Sequence, residues 1–192
     1  MDAGRFPVVK YAPAGKRTIF EEAIMSSSDI TLPPEAEAYH QSAESKVQSY
    51  KYNKPEIPGN ANKGLVRLCS TGMTKGIIQI IQDGGENTLH FHEGMDSFWM
   101  VIKGRVRFYG PGDKMIGEYG PMEGLITPAG SRYWFEKAND DGDLELLQVA
   151  SYEQDASKSQ RVAIGGDNVV RSNRNQWFDG QNSNALIDKT QA

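Results

Sequence analysis

A single cysteine, Cys69, rules out an intrachain disulfide, so no such crosslink holds the fold. It falls in the apolar run Gly64-Leu-Val-Arg-Leu-Cys69, where a buried structural thiol is expected. No nucleophile-elbow sequence is present, which argues against covalent hydrolysis. Basic residues are not clustered: 21 lysines and arginines are interspersed with 25 acids, for a net charge of −4. That pattern leaves no electrostatic footprint for nucleic acid or for an anionic membrane. No window approaches the roughly 20 apolar residues of a membrane span. The N-terminal Met-Asp-Ala-Gly-Arg-Phe-Pro has no apolar core of signal-peptide length, and the expected compartment is the cytoplasm. No glycine-rich turn opens onto a helix, so no phosphate loop is indicated, and there is no internal repeat.

Histidine is also scarce, yet two of the three stand two positions apart, His90 and His92, in G-G-E-N-T-L-H-F-H-E-G-M-D-S-F-W-M-V-I-K-G over residues 84–104. Side chains two apart on a strand share a face, so both imidazoles aim at one spot. That is how a sheet presents a pair of metal ligands, or a base and its neighbour.

Three regions differ in texture. Residues 1–62 read as an N-terminal arm with one helix and a linker: a short candidate strand at Thr18-Ile-Phe20, then Pro33-Pro34 opening a helix over residues 35–48. Acids in its first turn and the stripe Ala36, Tyr39, Ala43, Val47 support the helix, with His40 a surface or packing residue beside the stripe. Residues 50–62, with two prolines and a glycine, read as linker. Residues 63–153 hold short β-rich runs at 65–70, 76–82, 88–92, 97–102, 105–109, 114–119, 124–127, 132–136 and 145–151, separated by turn sequences such as Gly110-Pro-Gly-Asp113. Regularly spaced strands without intervening helices predict an all-β antiparallel sandwich or barrel. Residues 154–192, rich in Asn, Gln, Ser and Gly, read as an irregular C-terminal extension that wraps the barrel or a partner.

The residues around the histidine pair resemble the first motif of the cupin superfamily, the RmlC-like barrels. Gly84, five residues, His90-Phe-His92, four residues, Ser97, six residues and Gly104 fit its spacing, and Pro128-Ala-Gly-Ser-Arg-Tyr133 resembles the second motif except in its last residue. The resemblance covers roughly residues 63–152 and implies a double-stranded β-helix (jelly-roll) barrel, a small-molecule ligand and a homodimer. In metal-binding cupins the first motif also supplies a glutamate and the second a histidine. Here Ser97 and Tyr133 stand in those slots, with Asp96 just before the first.

Three chemistries follow for His90, His92 and Tyr133. With a third ligand from Asp96 or Tyr133, the pair would hold a divalent metal (Fe, Mn, Zn or Ni) for oxidation or isomerisation of a small oxygenated substrate. Without metal, an imidazole as base and the Tyr133 phenol as acid would suit proton movement beside a carbonyl. In the third, the barrel is non-catalytic and binds a sugar-like or other polar ligand. In-phase strand positions offer Thr88, Ser97, Trp99, Val101, Phe135 and Gln148 as the pocket lining, with Trp99 and Phe135 read first as aromatic residues that fill the barrel core.

Overall fold

The computed structural model describes residues 32–138, 142–153, 159–164, 175–182 and 184–188. The candidate strand at Thr18-Ile-Phe20 lies outside them. The chain divides into two compact units, Met1–Val47 and Gln48–Ala192.

In the first unit, helix α1 spans Pro34–Glu44, with a proline and Glu35 and Glu37 in its first turn. Those residues suit a helix N-terminus, where the missing proline N–H costs nothing and carboxylates meet the positive dipole end. The helix stops at Glu44 rather than running to residue 48; the Ser45 hydroxyl bonds the Ser42 carbonyl, the competition that disfavours serine inside helices. None of its residues is buried, so the expected stripe is not a core face. His40 meets the Tyr39 ring edge-on at 5.4 Å.

The second unit contains the nine expected strands, shifted at their ends: β1 Lys63–Ser70, β2 Thr74–Ile81, β3 His90–His92, β4 Met95–Lys103, β5 Val106–Tyr109, β6 Met115–Tyr119, β7 Gly124–Thr127, β8 Trp134–Lys137 and β9 Leu144–Tyr152. Strands β2-β9-β4-β7 neighbour one another in one antiparallel sheet, and β6-β5-β8 form another. An antiparallel bridge from His90 to Tyr133 adds β3 beside β8, with N–H···O distances of 3.1 and 3.0 Å. The second sheet therefore runs β3-β8-β5-β6 and interleaves in sequence with the first. This is the strand order of a jelly roll, a double-stranded β-helix.

Alternation of side chains packs the two sheets together. Along β4, Met95, Ser97, Trp99 and Val101 are buried while Asp96 and Phe98 are exposed. Trp99 and Val101 join Ile81, Leu144 and Leu146 of the same sheet and Val106, Phe108, Tyr133 and Phe135 from the facing side in one core cluster. Trp99 meets Phe135 edge-on at 5.3 Å, and Phe108 lies 5.1 Å from Phe135, contacts that add to the area each ring buries. Gly124 lets β7 approach closely, because a Cβ there would collide with the Trp99 carbonyl. Gly104, at φ 84°, makes the β4–β5 turn in a conformation that other residues rarely adopt.

A second cluster lies on the other face of the first sheet: Val66, Leu68, Ile78, Ile80 and Phe178, with Tyr52 and Ile57 packed against them. The segment expected to be a linker therefore covers the sheet. The Tyr52 hydroxyl donates to Glu145 at 2.6 Å, satisfying a carboxylate that is only 6% exposed. Cys69 is partly rather than fully buried, just beyond a register shift in the β1–β2 ladder, with its sulfur against Gly76.

The C-terminal extension is more regular than its composition suggests. Strands β10 Arg161–Ala163, β11 Asn175–Asp179 and β12 Ala185–Ile187 all pair: β10 with β3, β11 in parallel with β1, and β12 with β11. Polar side chains do not prevent this, since ladder hydrogen bonds come from the backbone and Phe178 supplies a deep apolar anchor.

Candidate functional site

The site begins with short β3, which sits between β10 and the Tyr133 bridge. His90 is 3% exposed and His92 is partly buried; their rings meet edge-on at 5.1 Å. The His90 Nδ1 lies 2.7 Å from the Thr88 carbonyl oxygen. A carbonyl only accepts, so Nδ1 carries the proton and Nε2 keeps its lone pair. Thr88, expected to contribute a side chain from a strand, lies before β3 and enters the site through its backbone.

Tyr133 is 2% exposed, with its ring 4.6 Å from that of His90. Burial raises its phenol above the ordinary tyrosine value, although a Thr127 hydrogen bond and the Arg161 charge oppose this. The phenol is therefore a proton donor at neutral pH. Burial, then the positive charge of Arg161, depresses both imidazoles: His90 to about 3, with smaller contributions from His92 and Lys63 against the opposing Thr88 bond, and His92 to about 4. Both are neutral at pH 7.

Polar side chains from the inner face of the first sheet continue the site. Gln79 Nε2 donates to Gln148 Oε1 at 2.8 Å, and Gln148 Nε2 donates to Ser97 Oγ at 3.0 Å. Trp99 Nε1 donates to Thr127 Oγ1 at 3.0 Å. Of the expected lining, Ser97 and Gln148 thus belong to one buried hydrogen-bonded chain, whereas Val101 and Phe135 are aromatic and aliphatic core and Trp99 joins core to Thr127. Gln79 and Thr127 were not anticipated; both share the inward phase of their strands, the signal that could have found them.

Two cationic side chains were also missed. Lys63 at the start of β1 has the inward phase of Leu65, opposite to Val66 and Leu68, and is 7% exposed, its Nζ 5.0 Å from the centroid of the Phe135 ring. Burial foremost and the Arg161 charge bring its ammonium down to about 7, against an opposing pull from Glu86. Arg161 stands opposite His92 in the β3–β10 ladder.

A divalent metal does not fit this donor set. Asp96 is exposed, one residue out of phase with Ser97, and its Oδ1 accepts the Ala129 N–H at 2.7 Å. Burial raises the Tyr133 phenol, and the positive charge of Arg161 acts on both imidazoles. Two neutral nitrogens are left, fewer than the three or more protein ligands usual for these metals. Among the described residues, no group of three or more His, Cys, Asp or Glu could hold a metal ion. No described helix is long and apolar enough to cross a membrane.

No family model matches the chain, nor does any curated protein. Similar solved structures include KdgF from a Halomonas species, 14% identical with a TM-score of 0.46 over 58% of this chain and 98% of that one. An RmlC-like cupin family protein with a double-stranded β-helix fold from Methanocaldococcus jannaschii is 15% identical, with a TM-score of 0.45 over 55% and 91%. The cupin domain of Schizosaccharomyces pombe Cnp3 is 10% identical with a TM-score of 0.42; the match spans 46% of this chain and 64% of that domain, just under two thirds. The double-stranded β-helix assignment rests on the strand order itself.

Proposed function

We propose that this barrel binds a small polar molecule beside His90, His92 and Tyr133 and moves a proton on it without a metal, as in isomerisation next to a carbonyl. The observation that carries this reading is the fixed tautomer of His90. Its Nδ1–H is committed to the Thr88 carbonyl, which leaves Nε2 as a proton acceptor in a ring 4.6 Å from a phenol held in its donor form. The Gln79–Gln148–Ser97 chain offers hydroxyl and amide groups to orient a substrate.

Two measurements test the reading. Protein purified without chelator or metal-affinity resin is expected to carry no stoichiometric metal after supplementation with iron, manganese, zinc or nickel. Stoichiometric metal that disappears in the His90→Ala, His92→Ala double variant would overturn it. In D2O, deuterium wash-in beside the carbonyl of small hydroxyketones and 2-oxo acids is expected by NMR, with a loss of about 100-fold or more in Tyr133→Phe. Wash-in at an unchanged rate in that variant would remove Tyr133 from the role.

The partner of the barrel is proposed to be a second copy. Phe98, Ile102 and Ile126 leave an exposed apolar stripe on the outer face of β4 and β7, at 48, 37 and 62% exposure, with Phe98 and Ile126 directly paired. Such stripes mark association surfaces. Light scattering is expected to give the mass of a dimer in wild type and of a single chain in Phe98→Glu; a monomeric wild type rejects the dimer.

A further inference from the structure

The molecule we propose above would meet Arg161 and the buried amine of Lys63, neither of them ion-paired within the described residues, and we infer that its recognised part is an anion, the carboxylate or phosphate group of a small organic acid. The inference rests on that site and deepens it by naming the ligand class. Lys63 projects into the barrel rather than to solvent, with its ammonium against the face of Phe135. Phe135 lies two residues from Tyr133, which bridges to His90, and the Lys63 charge is felt at His90. From the other side, Arg161 is brought to the rim by its register opposite His92.

Neither cation makes an ion pair within the described residues. Lys137 and Lys54, by contrast, contact Asp83 and Asp143 at 2.7 and 2.6 Å, and Arg105 and Arg107 both contact Glu118. The other ionisable groups whose charge is felt here are His90, His92, Tyr133 and Glu86, the last acting on Lys63. Burying an ammonium without a counter-charge costs several kcal/mol. A ligand oxyanion would supply that charge, with Arg161 offering the paired N–H groups that fit a carboxylate or phosphate. Deeper in the barrel, the neutral Ser97, Gln148 and Gln79 suit the hydroxyl or carbonyl part of the same molecule.

The test uses the full chain and three probes of one size: glycolate, methyl phosphate and uncharged ethylene glycol. Binding is followed by calorimetry and by the imidazole Hε1 resonances of His90 and His92. Glycolate, methyl phosphate or both are expected to bind saturably and shift both resonances, with ethylene glycol far weaker. Lys63→Met and Arg161→Gln should each weaken anion binding by about tenfold or more, while Arg107→Gln, on the outer side of β5, changes nothing. A preference for glycolate or for methyl phosphate identifies which oxyanion the site takes.

Ethylene glycol binding as well as the anions, or anion affinity unchanged in both variants, overturns the anion assignment. If the neutral probe alone shifts the histidine resonances, the small-molecule site stands and only the anion inference falls. Should no probe reach the histidines, both fall.

Discussion

Replacing Lys63 by methionine is expected to stabilise the protein at pH 7, raising Tm by about 5–10 °C. The alkyl stem of Lys63 is already packed, so methionine of similar length fills its volume and removes only the amine. Its ammonium has an ordinary value of 10.5 in the unfolded chain and about 7 when folded. A group whose folded value is lowered binds fewer protons in the native state, so stability rises with pH between those two values and is lowest below them. At pH 7 nearly the whole penalty is present, on the order of 3 kcal/mol after allowance for relaxation around the site. The gain from Lys63→Met should therefore shrink as pH approaches 10.5. Urea unfolding at pH 7 and pH 10 checks both parts. A variant that is less stable at pH 7, or a gain equal at both pH values, would show that the amine is well accommodated. The same substitution is expected to lose anion binding, so the residue trades stability for recognition.

Acid should destabilise the protein well above the range in which carboxylates titrate. His90 and His92 fall from 6.5 to about 3 and about 4 on folding, so the unfolded chain binds up to two more protons than the native one between roughly pH 6.5 and 4. Their contribution is complete above pH 6.5 and is lost as the pH falls through that window. The slope is at most about 2.7 kcal/mol per pH unit, two protons at 1.36 each. Charging both imidazoles in the fold would cost at most about 8 kcal/mol, 3.5 and 2.5 pH units at 1.36 each, which is comparable with a total stability of about 5–15 kcal/mol. Urea unfolding at pH 7.5, 5.5 and 4.5 measures the slope, and His92→Gln should reduce it by about half. Stability that is flat from pH 7 to 5 would mean that the imidazoles are charged in the fold.

Much of the barrel could be read from side-chain alternation, because one face of each strand is buried. Met95, Ser97, Trp99 and Val101 on β4, and Leu144, Leu146 and Gln148 on β9, point inward as their phase requires. The phase of β1 was not legible. Residues 63–68 are almost all buried, on two faces, because the segment around Tyr52 and Ile57 covers the outer one; a run without alternation does not reveal that Lys63 points in. Arg161 was beyond local reasoning for another reason. Its place opposite His92 depends on the pairing of β10 with β3, a contact between distant segments in which the tail contributes backbone rather than apolar side chains. Thr88 failed by a boundary: β3 starts at His90, so the residue offered as lining instead fixes the imidazole through its carbonyl.

The parallel pairing of β11 with β1 has a bearing on solubility. Without it the first sheet would end at β1, an eight-residue strand rich in buried aliphatic side chains, presenting a long row of unpaired amides and carbonyls to any passing chain. The C-terminal residues move that edge outward to β12, three residues long, too short to template another sheet. A polar tail with little core of its own thus acts as a guard against edge-to-edge aggregation.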